Sequence, residues 1–428
     1  MPAILNHPEF DLDHSLSEQQ RTLLRAVAAA AGALHLPLYL VGGFVRDLLL
    51  GKPATDFDLV VEGDAIALAR ACAGQYGGRV TAHVRFGTAQ WFLPDPGDHA
   101  LDFISTRSET YKQPGALPTV QPGRLADDLA RRDFSINTLA LRMDGEHWGE
   151  LHDELDGLTD LKHGLVRVLH PQSFLDDPTR LFRAVRYEQR YGFRIAPETL
   201  ALIPPARSSI GLLSAERVRH ELDLILEEQQ VIAMLARLAE LDILQPVHPA
   251  LAWNEVMRER FMRGSNPAQA GSISAIPPSG DRSFLNWHFW LLDRSPADIQ
   301  SLERRLHFHA KLLESLMAAS ALFADLPSLA GLKPSQCVAR LEQLPLTAVY
   351  AIFLSAGQGQ ARQNVHDYLE TWRQVKPKTN GNDLKKRGLS PGPRYQQILS
   401  RLRQAWLDGE VRTESDELNL LEKVLNSW

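Results

Sequence analysis

Two cysteines in 428 residues, Cys72 and Cys337, leave no disulfide framework and no CxxC metal site. Their scarcity fits a reducing compartment, so the cytoplasm is the expected location. No apolar run approaches the roughly 20 residues that span a bilayer, and no membrane partner is expected. The first residues, MPAILNHPEFDLDH, lack the basic start and apolar core of a signal peptide. Charge of one sign is also missing, because 46 Lys and Arg against 52 Asp and Glu give a net charge of −6. A nucleic-acid partner must therefore meet a local basic face. His366-Asp367 is a lone HD pair without the further His and Asp that a metal-dependent phosphohydrolase requires. What remains is an ordinary globular composition in a chain long enough for two to four modules.

The densest signal is LYLVGGFVRDLLLGKPATDFDLV, Leu38 to Val60. An apolar strand enters a Gly-Gly turn, a helix follows with Arg46 and Asp47, and two aspartates end the unit. Gly42 and Gly43 allow close backbone approach, and the N–H groups opening the helix favour an anion. Asp56 and Asp58 alternate along a strand, so both carboxylates leave one face. Such a pair attracts Mg²⁺, which shares oxygen ligands with substrate phosphates. Each element alone is weak; their order outlines a nucleotidyl-transfer site.

Two further clusters follow. Strand-like pieces are read at 79–84, 88–93 and 100–105, and the last places Asp102 as a candidate third carboxylate, with a solvated strand-end aspartate as the alternative. A loop from Tyr111 to Pro118 carries charged and turn-forming residues that can move. In LADDLARRDFSINTLAL, Arg131, Arg132 and Asp133 precede an expected helix carrying Ser135 and Asn137. Paired guanidiniums fit phosphate, and a salt bridge within the helix is the alternative. FLDDPTRLFRAVRYEQRYGF, 174–193, places Asp177 where an N-cap belongs and Pro178 in the first turn. Arg180, Arg183 and Arg186 then form a cationic stripe, with Phe182, Val185 and Tyr187 on the apolar side. Between Arg373 and Arg403 stand nine Lys or Arg and one acid, Asp383. Lys376, Lys378, Lys385, Lys386, Arg387 and Arg394 are the candidate RNA contacts there.

These motifs together resemble the class II tRNA nucleotidyltransferase and poly(A) polymerase family. The resemblance is strong over 36–228 and moderate over 376–418, where TNGNDL and GLSPGP match the family's tail. It implies an α+β fold: a polymerase-β-like head of small mixed sheet and helices at 1–170, then an all-helical remainder. The expected modules are a neck at 171–229, a body at 230–370 with a flexible loop near 263–282, and a basic tail at 371–428. The implied reaction is template-independent addition of CCA to the tRNA 3′ end from CTP and ATP by two-metal chemistry. Asp56 and Asp58 would hold Mg²⁺. Gly43, Arg46, Arg132, Arg183 and Arg186 would take the triphosphate, and Asp177 and Arg180 the base edge. Asp176 departs from the glutamate common in the family. An A-adding enzyme working with a separate CC-adding partner and a poly(A) polymerase stay open. An inactive RNA-binding homologue is disfavoured by the intact aspartates.

Overall fold

The computed structural model describes residues 12–53, 57–94, 100–110, 115, 118–265 and 282–426. The chain divides into two compact units, Met1–Ser214 with Leu241–Pro246, and Ala215–Glu240 with Val247–Trp428.

The first unit is built on a seven-stranded mixed sheet. Its strands are β1 (Leu38–Val41), β2 (Asp58–Val61), β3 (Arg79–His83), β4 (Thr88–Phe92) and β5 (Ala100–Ser105), with β8 (Ala140–Arg142) and β9 (Glu150–His152). Their order is β3-β4-β5-β2-β1-β8-β9. Only β2 and β5 run parallel; every other neighbouring pair is antiparallel. A separate hairpin pairs β6 (Arg107–Thr110) with β7 (Thr119–Pro122). The helices up to Tyr191 are α1 (Leu12–Ser15), α2 (Glu18–Ala33), α3 (Gly43–Leu49), α4 (Ala65–Tyr76), α5 (Leu125–Ala130), α6 (Gly157–His163), α7 (Ser173–Asp176) and α8 (Thr179–Tyr191), and two short helices, Pro197–Leu200 and Ile203–Ala206, follow.

Period-two alternation sorts the two faces of the sheet. Ala89, Trp91, Leu101 and Phe103 are buried on one face, and α4 packs against these strands. Asp64 starts α4 by accepting from the backbone N–H of Ile66 and Ala67. On the other face Tyr39, Val41, Val60 and Ala140 close over Leu125 and Leu129 of α5. The polar positions Thr88 and Gln90 of β4 and Asp102 of β5 share that second face.

The expected helix carrying Ser135 and Asn137 is only one 3₁₀ turn, Ser135–Asn137. Local side chains capture its backbone instead. The Asp133 carboxylate accepts from the Phe134 N–H, and the Thr138 hydroxyl donates to the Ser135 carbonyl.

The second unit is helical among the described residues. Its first helix, Ala215–Glu227, falls within the segment read as neck, 171–229. It belongs here because Asn286 donates to the Leu226 carbonyl at 2.6 Å and Trp287 to Asp223 at 2.7 Å. Trp287 and Trp290 stack in its core. Among the described residues no single helix is long and apolar enough to cross a membrane.

Candidate active site

Asp58 opens β2, and its Cα partner in parallel register is Asp102 of β5. Registered neighbours point to the same face, on strands about 4.8 Å apart. The sheet thus sets two carboxylates side by side, and Asp102 is exposed. Asp56 lies outside the described residues. Hard oxygen donors on one face suit Mg²⁺ rather than a thiol- or imidazole-loving metal. Among the described residues no group of three or more His, Cys, Asp or Glu is arranged to hold a metal ion.

β1 runs antiparallel beside β2 and delivers the Gly-Gly turn next to Asp58. Gly42 caps α3 with φ +69° and ψ −128°. A Cβ there would lie 2.5 Å from Nη1 of Arg132. The glycine requirement therefore rests on Gly42; at Gly43 a Cβ would meet only Arg46 Nη2, at 3.4 Å. Arg132 is held by the fully buried Asp128 at 3.0 Å, which also takes Arg131 at 2.7 Å. The salt-bridge alternative for this pair is thus realised. Yet Arg132 Nε is buried with no hydrogen-bond partner among the described residues, a donor of the kind an incoming anion satisfies. Gly42→Ala should strain the turn by about 1–2 kcal/mol and displace Arg132. The expected result is a nucleotide KM raised about tenfold, since 1.4 kcal/mol is a factor of ten. An unchanged KM by steady-state kinetics would show that the turn and Arg132 do not meet nucleotide.

Arg46 is buried and fully engaged. It pairs with Asp47 at 3.0 Å, donates to Asn137 Oδ1 and the Tyr191 hydroxyl at 2.5 Å each, and lies over the Tyr191 ring. Burial opposes its charge, but Tyr187, Tyr191 and Asp47 outweigh that and raise its pKa. Burial also pushes the Tyr191 hydroxyl above its ordinary range. Arg46 braces α3 against α8 rather than projecting into open space.

The cationic stripe on α8 is largely internal. Arg180 and Arg186 are buried, as are Phe182, Val185 and Tyr187 on the apolar side. Arg180 donates to Ser173 Oγ at 2.5 Å and to the Arg131 carbonyl at 2.7 Å. Arg183 closes on Asp133 at 2.6 Å. Burial would raise the Asp133 carboxyl, but Arg183 and the Asn137 amide hold it down to about 2. Asp177 sits one residue before the cap position, which Pro178 occupies. Its Oδ1 accepts from both the N–H and the hydroxyl of Thr179, at 3.0 and 2.6 Å. Sequence reasoning missed Tyr191, Asp128 and Glu109. Glu109 on β6 takes Arg131 at 3.0 Å, so the hairpin is tied to the paired arginines.

The loop expected from Tyr111 to Pro118 springs from that hairpin; Tyr111–Pro114 and Ala116–Leu117 lie outside the described residues. Gly115 donates its N–H to the Leu175 carbonyl at 3.3 Å. The flexible loop expected near 263–282 also falls mostly outside them.

In the second unit Lys376, Lys378, Lys385, Lys386 and Arg387 are exposed and Arg394 half-buried. Asn380 and Asp383 form a capping box that starts the helix Gly381–Lys386. The charge here is more mixed than 373–403 suggested. Lys378, Lys386 and Arg387 line a cavity of about 320 Å³ with Asp383, Glu414 and Glu417, because the helix Glu414–Asn426 folds back on it.

Residues 38–167 match the Poly A polymerase head domain, and 192–254 the probable RNA and SrmB-binding site of polymerase A. Over 97% of its length the chain is 32% identical to the A-adding tRNA nucleotidyltransferase of Halalkalibacterium halodurans, covering 95% of that protein. The chain belongs to the class II tRNA nucleotidyltransferase and poly(A) polymerase family. It is 35% identical to the A-adding tRNA nucleotidyltransferase of Geobacter sulfurreducens over 95% of its length, but spans only 47% of that protein. Among solved structures, the Thermotoga maritima CCA-adding enzyme complexed with tRNA superposes with a TM-score of 0.75 at 29% identity, over 97% of each chain.

Proposed function

We propose that this chain extends the 3′ end of tRNA without a nucleic-acid template, adding the terminal A from ATP. The observation that carries the reading is the Asp58–Asp102 pair standing beside the Gly42–Arg132 contact, which joins carboxylates to a phosphate seat. The end-to-end likeness to an A-adding enzyme supports A addition. The likeness to a CCA-adding enzyme complexed with tRNA favours a second reading, in which the same chain also adds the two C residues from CTP.

Mg²⁺ held by Asp58, Asp102 and Asp56 would supply Lewis-acid activation of the attacking hydroxyl and charge neutralisation at the leaving pyrophosphate. The remaining work falls to the chain itself. Arg132 offers its guanidinium to the triphosphate beside the open backbone at Gly42. Arg46 and Arg180 act from behind, Arg46 fixing the Gly-Gly helix and Arg180 fixing the Arg131 carbonyl. Arg183 and Arg186 add positive potential from α8. Asp177 is proposed to read the base edge, where a carboxylate accepts from the exocyclic amine of A or C, with the buried Arg180 positioning the segment through Ser173 and the Arg131 carbonyl rather than meeting the base itself. The exposed lysines of the tail meet the RNA backbone. The cytoplasm is the proposed location.

The test uses purified protein with two transcripts, one ending in CC and one lacking CCA. The A-adding reading expects ATP to extend only the first, and CTP to extend neither. Addition of two C residues to the second transcript would establish the CCA reading. No extension of either by any nucleotide would overturn both.

Asp177 gives a sharper test of base reading. Asp177→Ala should raise misincorporation of UTP and GTP by about tenfold or more, the effect of losing a directed hydrogen bond worth about 1–3 kcal/mol. Asp177→Asn keeps a capping side chain but exchanges an acceptor for a donor, and should also relax selectivity. Competition between labelled nucleotides measures both. If the Asn variant selects like wild type, Asp177 is only a cap.

A further inference from the structure

The carboxylate row has a third polar member that no motif announces. Asp102 of β5 is registered against Gln90 of β4 as well as against Asp58 of β2. Gln90, Asp102 and Asp58 therefore lie across three adjacent strands in one line on one face. The flanking residues of β4, Ala89 and Trp91, are each 1% exposed and turned to the opposite face. Gln90 itself is half-buried. Its amide forms no side-chain hydrogen bond among the described residues. Thr81 of β3 continues the row beyond Gln90, and Thr88 and Phe92 flank it along β4; an uncharged amide set beside a carboxylate pair needs a reason.

Strand order supplies one. The sequence β4-β5-β2-β1 puts the carboxylates between Gln90 on one side and the Gly42 turn with Arg132 on the other. Adjacent strands are about 4.8 Å apart, so the row spans about 10 Å from Gln90 to Asp58. Phosphoryl transfer places the attacking and leaving oxygens roughly in line on opposite sides of the phosphorus. If the triphosphate leaves toward Gly42 and Arg132, the attacking RNA end approaches from the β4 side. The group waiting there is Gln90.

We propose that Gln90 binds the terminal ribose of the RNA acceptor, hydrogen-bonding its 2′ hydroxyl and so aiming the adjacent 3′ hydroxyl at the carboxylate row. The chemistry matches: a carboxamide both donates and accepts, as a 2′ hydroxyl does. That hydroxyl is also the group that distinguishes RNA from DNA. Gln90 is in this role a specificity residue for the acceptor end, and the inference rests on the nucleotide-addition reading above.

The experiment crosses two changes. Wild type, Gln90→Leu and Gln90→Glu are each given tRNA ending in CC, with the last residue either a ribonucleotide or its 2′-deoxy form, and ATP. Wild type should favour the ribose end by about tenfold in kcat/KM, the effect of one hydrogen bond. Both variants should lose about tenfold on the ribose end and almost nothing on the deoxy end, so that the preference collapses. Thermal unfolding of each variant identifies a folding defect, which would depress both ends alike. Equal loss on the two ends, no loss on either, or a wild type indifferent to the 2′ hydroxyl would overturn the assignment of Gln90. Absence of any addition by wild type would overturn the reaction itself, a separate result.

Discussion

Asp58→Ala is expected to lower nucleotide addition by roughly 10³-fold while tRNA binding changes little. The position leaves no substitute on β2, because the next residue on the same face is the buried Val60. Losing a carboxylate that organises charge at the reacting phosphorus removes about 4 kcal/mol of transition-state stabilisation. Binding should persist because the candidate RNA contacts, Lys385, Lys386 and Arg387 among them, belong to a different unit. Single-turnover incorporation measures the first effect and filter binding the second. Activity within tenfold of wild type would remove Asp58 from the site.

The second large effect concerns stability. Asp133 is buried between Arg183 at 2.6 Å and Asn137 at 2.8 Å. Asn137 in turn receives Arg46, so the network links α3, the 3₁₀ turn and α8. Asp133→Asn keeps the shape but strips Arg183 of its counter-ion, at a cost of about 2–3 kcal/mol near neutral pH. That is below the range for fully buried pairs, because the Arg183 side chain is 31% exposed. The pH dependence follows from the carboxyl being held down to about 2 in the fold, against about 3.9 when unfolded. A depressed pKa stabilises the fold above the unfolded value and loses that contribution as pH falls through 4 toward 2. The gap between wild type and Asp133→Asn in urea unfolding should be constant from pH 7 to 5 and narrow below 4. A gap unchanged at pH 3.5 would show that Asp133 carries no such charge coupling.

Strands were legible because alternation is local: TAQWF and ALDFIS alternate, and their apolar positions Ala89, Trp91, Leu101 and Phe103 are the buried ones. The Gly-Gly turn was legible for a similar reason, since a positive φ at Gly42 demands glycine. Registration of Asp58 with Asp102 was not, because a parallel pairing across 44 residues depends on the crossover and not on either strand's pattern. Gln90 was hidden by the same gap. The α8 arginines show a different limit. A stripe at every third position reads alike whether it faces water or, as for Arg180 and Arg183, a carbonyl and a carboxylate from another segment. In the tail the cations were visible, but Glu414 and Glu417 reach them only through the final helix turning back.

The most direct measurement follows a labelled tRNA ending in CC, incubated with the purified full chain, ATP and Mg²⁺. The RNA should lengthen by one adenylate, with pyrophosphate released in equal amount. An RNA end that stays unchanged, or one that grows into a long adenylate tract, would contradict it.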